Sequence, residues 1–134
     1  MRILFISGNY HPVIGGAETY AKELARGMVR AGHEVCIVTP GDHSTVAGDH
    51  ITTEAGVQVI RLGAFMRALL TGEKAPWEQL YFDILDAIHA HADLSRFDVI
   101  HANSHETAII GSMLKLEGGI PLVVTSHEMG REKT

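Results

Sequence analysis

The opening run constrains the fold most. Residues 2–7, RILFIS, are almost continuously apolar and are closed by Gly8. A strand with no polar alternation is buried on both faces, so it belongs to a sheet covered by a layer on each side. VCIVTP at 35–40, VQVIRL at 57–62, DVIHA at 98–102 and IPLVVTS at 120–126 read as further strands. Between them lie stretches of helical spacing. Residues 17–31 put Ala17, Tyr20, Ala21, Leu24, Ala25 and Met28 on one side, and Gly32 follows as a left-handed stop. A second helix is expected from Pro76 to Ala92, with Trp77, Leu80, Tyr81, Ile84, Leu85 and Ile88 as its core stripe. A third covers 105–117, ended by Gly118-Gly119. Strands alternating with helices predict an α/β fold, a Rossmann-like parallel sheet with helices on both faces and right-handed crossovers. Residues 41–56 are expected to form a surface loop or small hairpin, and 63–76 an irregular stretch with a short amphipathic piece at Phe65, Met66, Leu69 and Leu70.

Size limits the chain to one domain, since 134 residues are enough for one buried core. The net charge of −5 supplies no basic field for nucleic acid or anionic lipid, so no nucleic-acid partner is expected. Cys36 is the sole cysteine and sits in an apolar strand, which reads as a small core side chain. MRILFIS is too short and too soon followed by polar loop to be a signal peptide. No segment approaches the ~20 apolar residues of a membrane span. The expected location is cytoplasmic, and the piece at 65–70 is the one place where a membrane-borne acceptor could be met.

In an open α/β sheet, ligands bind beyond the carboxyl ends of the strands. The loop GNYHPVIGGAE, 8–18, leaves such an end and carries Gly15-Gly16 directly before a helix. Paired glycines permit close backbone approach, and the helix start offers free N–H groups to an anion. The pattern is neither a GxGxxG turn nor a Walker A loop, and glycines that merely shape a turn remain the alternative. Glu18, in the first turn, favours the helix through its dipole or meets an acceptor hydroxyl. Tyr10 and His11 divide evenly between ligand contact and packing. His127 leaves the last strand, where an imidazole can donate to a substrate or relay a proton. Ser7, Asn103 and Ser104 are polar groups of the same rim that also suit caps and turns. His89 and His91 are two apart on a helix and diverge; His101 and His105 lack a third ligand, and no metal site is expected.

Three segments together carry a resemblance. HPVIGGAETYAKELARGMVRAGHEVCIVTPG after MRILFIS, then FDVIHANS, then IPLVVTSHE, occur in the order found in the family 4 glycosyltransferases of the GT-B fold. The likeness runs from Met1 to about Glu128 and is weakest from 42 to 95. It implies a retaining transferase that moves a sugar from a nucleotide-sugar donor, used as co-substrate, to an acceptor hydroxyl, with no metal or other cofactor. It also implies that this is the amino-terminal, acceptor-side domain. Carried over by position, Gly15 and Gly16 form the loop beside the donor diphosphate, and His127 is the catalytic histidine beside the transferred sugar. His101 falls on the first histidine of the family's His-x-His pair, and Asn103 replaces the second; with Tyr10, His11 and Glu18 these are the candidate acceptor contacts.

The family's second domain, with its Glu-x7-Glu pair and basic diphosphate ligands, has no counterpart up to Thr134. The chain by itself is therefore expected to be inactive, truncated before the donor domain or dependent on a partner chain that supplies it. Exposed apolar surface is then expected to drive self-association. The alternative of another class is a non-catalytic binding or regulatory subunit that keeps the Rossmann-like fold.

Overall fold

The computed structural model describes residues 1–8, 16–40, 48–71 and 77–125. In chain order the elements are β1 (Arg2–Ile6), α1 (Gly16–Arg30), β2 (Glu34–Thr39), β3 (His50–Glu54), β4 (Val57–Arg61), α2 (Gly63–Thr71), α3 (Trp77–His91), β5 (Val99–Ala102), α4 (His105–Gly118) and β6 (Leu122–Val124). A single 3-10 turn, Leu94–Arg96, links α3 to β5. The six strands form one sheet in the order β3-β4-β2-β1-β5-β6. All neighbours are parallel except β3, which runs antiparallel to β4.

This order follows from the chain's path. From β1 the chain steps outward to β2 and then β4, and after α3 it returns to the other side of β1 to lay down β5 and β6. A right-handed crossover reverses its face when it reverses its direction. Accordingly α1 packs on one face, where Ala21 and Ala25 meet Phe5, Val35, Ile37, Val57 and Val59. The other helices cover the opposite face, where Ile84, Leu85 and Ile88 of α3 and Ile110 and Leu114 of α4 meet Leu4, Ile6, Val38, Ile60 and Ile100. The unalternating central strands β1 and β2 are thus buried from both sides, as their composition required.

Local chemistry sets the helix ends. α1 stops in a Schellman arrangement: the Gly32 N–H donates to the Val29 carbonyl and the His33 N–H to the Met28 carbonyl, each at 3.0 Å, with Gly32 at φ +96°. Ser104 caps α4, its Oγ accepting from the Thr107 N–H at 3.2 Å, and Gly119 closes it in the left-handed region at φ +69°.

Of the loop or small hairpin expected within 41–56, the hairpin is present: residues 50–54 form an edge strand joined to β4 by a two-residue turn at Ala55-Gly56, with φ of +53° and +81°. Two successive positive φ values suit the tight hairpin that matches sheet twist. Residues 63–71, expected to be irregular, are helix α2. Phe65 is buried against the sheet and α3, and Met66 is buried as well, rather than offered to a membrane or partner, so that half of the proposed surface patch is corrected. The helix lacks a local cap. Its Gly63 N–H instead donates to Asp49 Oδ1 at 2.8 Å, a residue 14 positions earlier, and no window of sequence displays such a cap.

Candidate functional site at the carboxyl end of the sheet

The direction of chain travel changes between β1 and β5, which makes the space beyond their carboxyl ends the topological switch point. The first residues past those two strands are polar. Ser7 and Asn103 are both buried, and Asn103 Nδ2 donates to Ser7 Oγ at 3.3 Å. Backbone bonds hold the strands together up to this point: Ser7 N–H to the Val38 carbonyl at 3.0 Å, Asn103 N–H to the Ile6 carbonyl at 2.9 Å. The Thr125 N–H donates likewise to the Ala102 carbonyl at 2.9 Å.

Running the register one step past the paired residues sets out a complete polar rung. Ile6 lies opposite Val38 and Ala102, so Ser7 lies opposite Thr39 and Asn103. Thr39 lies opposite Arg61, and Arg61 opposite His50. Ala102 lies opposite Val124, which places Thr125 beside Asn103. From edge to edge the rung reads His50, Arg61, Thr39, Ser7, Asn103, Thr125. Strand alternation puts it on the face that carries α1, since each member is two residues beyond a side chain on that face such as Phe5, Ile37 or Val59. One register step inward, the same face is apolar at its centre.

The partners of these groups differ. Arg61 Nη1 binds Glu54 Oε2 at 2.8 Å and reaches Thr52 Oγ1 at 3.3 Å, so its charge is neutralised beside the edge strand. Thr39 Oγ1 is fully buried and has no hydrogen-bond partner. A hydroxyl in that state costs about 1–3 kcal/mol. It is one of two buried side-chain polar atoms without a partner among the described residues, the other being Arg26 Nε, and it is the one that lies at the carboxyl end of the sheet.

His101 sits one step below the rung on the α1 face. Its ring stacks on Phe5, with centroids 4.8 Å apart and planes 5° from parallel, and its Nε2 is hydrogen-bonded to Thr125 Oγ1 at 2.7 Å. Gly16 is the first residue of α1, and Glu18 lies in that helix's first turn. Tyr10, His11, Gly15 and His127 lie outside the described residues. His89 and His91 diverge as their spacing requires: His89 Nε2 meets Glu117 at 3.0 Å and His91 Nε2 meets Asp49 at 2.7 Å.

A groove of about 550 Å³ opens at the opposite end of the sheet, lined by Arg2, Cys36, Gln58, His91, Arg96 and Phe97 among others. Size alone does not make it the reactive site. Its Arg2 is paired with Glu34 at 2.9 Å and its His91 with Asp49. Its Cys36 thiol is pushed up to about 12 by burial, which keeps it protonated and unreactive. The amino ends of parallel strands also lack the helix starts that converge at the carboxyl end.

Residues 15–134 match the glycosyl transferase 4-like domain family. The chain belongs to that family. An uncharacterized glycosyltransferase of Methanocaldococcus jannaschii is 29% identical over 134 residues, which cover 98% of this chain and 32% of that protein. The D-inositol 3-phosphate glycosyltransferase of Corynebacterium diphtheriae is 30% identical over 140 residues, covering 99% of this chain and 33% of that enzyme. Sucrose-phosphate synthase from Thermosynechococcus elongatus superposes with a TM-score of 0.67 at 23% identity, over 98% of this chain and 34% of its own. The chain thus spans about a third of the length of the curated relatives it matches. Its sheet is the Rossmann-like unit of a GT-B glycosyltransferase.

In this glycosyltransferase-like domain, Ser7 and Asn103 are legible in the sequence as rim residues, and Thr39 is not. The one available signal was the last letter of VCIVT, a hydroxyl closing an otherwise apolar strand that ends at the switch-point rim.

Proposed function

We propose that this domain is the acceptor-side half of a retaining glycosyltransferase, one that moves a sugar from a nucleotide-sugar donor to a hydroxyl of a phosphorylated polyol. The observation that carries the reading is the polar rung at the switch point, with Ser7, Thr39 and Asn103 buried in its centre and α1 packed on the same face of the sheet. Hydroxyl and amide groups both donate and accept, which suits a ligand that presents several hydroxyls. The family membership supports sugar transfer, and the corynebacterial relative, named for D-inositol 3-phosphate, supports the class of acceptor.

On this reading the Gly15-Gly16 turn lets the backbone approach the donor diphosphate, and the first N–H groups of α1 add their partial positive charge. His127 lies beside the transferred sugar and donates a hydrogen bond to it. The acceptor oxygen forms its bond to the anomeric carbon as the bond to the diphosphate breaks, and the hydroxyl proton leaves with the diphosphate. The remaining donor contacts come from a second domain, in cis or as a partner chain, so the isolated chain binds acceptor without turning over.

The test is transfer of labelled sugar to D-inositol 3-phosphate by the protein with its donor domain in place. Gly16→Trp should lower kcat/KM about 100-fold by displacing the diphosphate, and His127→Ala should lower kcat by a similar factor. Full activity in both variants would overturn the assignment of this loop and this histidine.

A further inference from the structure

We propose that the β6 edge of the sheet is an interface with a second copy of this chain. The two β6 strands pair antiparallel about a two-fold axis at Val123, and their α4 helices pack side by side. The inference does not depend on the acceptor reading above.

The two edges of the sheet are built differently. β3 is guarded by polar side chains along most of its length, and its Glu54 and Thr52 hold Arg61. β6 carries no charge, and Val123 and Val124 are half exposed. Its bonds to β5 use alternate residues: the Ile100 N–H donates to the Pro121 carbonyl and the Thr125 N–H to the Ala102 carbonyl, each at 2.9 Å. Alternation therefore turns the N–H and C=O groups of Leu122 and Val124 outward, and no described strand pairs with them. An apolar edge of this kind is a template for another strand.

A second copy fits the edge in both layers. In the strand layer, a two-fold axis normal to the sheet sets Leu122 against Val124 of the second copy as a hydrogen-bonded pair. Val123 then meets its own mate as the closer, non-hydrogen-bonded pair. Like faces meet like, since Leu122 and Val124 lie on the α4 face in both copies and Val123 on the α1 face. In the helix layer, α4 lies over the seam between β5 and β6. A Cβ at Gly111 would sit 2.8 Å from Leu122 Cδ1 and 3.6 Å from both Ala102 and Ile100. The two-fold axis is one strand spacing further out, so α4 and its mate come two spacings apart, about 9.6 Å. Packed helices stand about 8–10 Å apart, and one docking thus closes both layers. The flank of α4 turned away from α3 offers Ala108 and Ser112, small enough for that approach. The opposite flank carries Glu117, which is taken by His89 of α3.

The experiment is sedimentation velocity of the 134-residue chain over a concentration series, with Val124→Pro, Val123→Cys and Val124→Cys as variants. The interface is at the small end of the specific range, so the wild type should pass from monomer to dimer at μM concentrations. Proline at 124 removes an outward N–H and leaves the β5 ladder intact, so it should weaken the dimer about tenfold or more at an unchanged melting temperature. Under oxidising conditions Val123→Cys should give a disulfide-linked dimer, because its pair brings the Cα atoms to about 4.5 Å. Val124→Cys should not, since its mate lies beyond the ~7 Å limit, and Cys36 is buried away from both. A wild-type chain that stays monomeric throughout would overturn the proposal and leave the edge to a segment of a longer protein. Open-ended aggregates in place of a closed dimer would overturn it too, as would Val123→Cys linking no faster than Val124→Cys. Should the proline variant fail to fold, the cysteine pair decides.

Discussion

Cys36 and Thr39 stand three residues apart on β2 and face opposite sides of the sheet, with opposite consequences. Cys36 is enclosed by the layer that α3 and α4 build, and the thiolate is disfavoured there by loss of solvation. It should react with an aromatic disulfide reagent only as fast as the chain unfolds, and addition of urea to the transition midpoint should bring labelling up sharply. Rapid labelling under native conditions would contradict its place in the core. That place was legible in the letters VCIVT, because a small side chain amid β-branched neighbours has nowhere to go but inward. The state of Thr39 was not legible. A hydroxyl at a strand end reads as a cap or turn former, and only the register across β1 and β4 reveals that its neighbours are Ser7, bonded to Asn103, and Arg61, paired with Glu54.

Among the elements, those with periodic burial were readable and those fixed by distant partners were not. α1, α3 and α4 announce themselves by spacing, and their ends by Gly32 and Gly119. β3 is exposed along almost its whole length, so HITTE carries no buried face to betray it; it exists because β4 offers an edge and Ala55-Gly56 turns the chain back. α2 depends on Asp49. Burial works to raise that carboxyl, but the Gly63 N–H, the hydrogen bond from His91 and the charges of His91 and Arg67 outweigh it and hold it below the ordinary carboxylate range. A depressed native value means that the contribution is complete above the unfolded value, about 3.9, and is lost as pH falls through the native one. Asp49→Ala should therefore cost about 1–2 kcal/mol at pH 7 in urea unfolding, with the gap to wild type closing below pH ~4. A gap that persists unchanged into acid would show that the carboxylate charge plays no part.

At the scale of the molecule, the same topology that buries the strands gathers the chemistry. Six polar residues from six strands fall in one layer only because five strands are parallel and in register, and β3 enters the layer through His50. The alternation of strands and helices was enough to place the carboxyl-end rim of the sheet in advance, and the three family segments fall on β1 through β2, on β5 and on β6. Whole-molecule arrangement also explains what the sequence could not rank. The roomy groove among Arg2, Gln58 and Arg96 lies at the amino ends, where Arg2 pairs with Glu34 and His91 with Asp49. β6 leaves Val123 and Val124 half exposed, at 50% and 45%.

The most direct test of the central claim, that the carboxyl-end rim of this domain holds the acceptor, is a backbone amide NMR titration of the chain with D-inositol 3-phosphate. Shifts should cluster at Gly8, Gly16, Ser104 and Thr125, around the switch point, with Arg2, His33 and Arg96 unmoved. Shifts gathered instead around the amino-end groove, or no shifts at all, would contradict it.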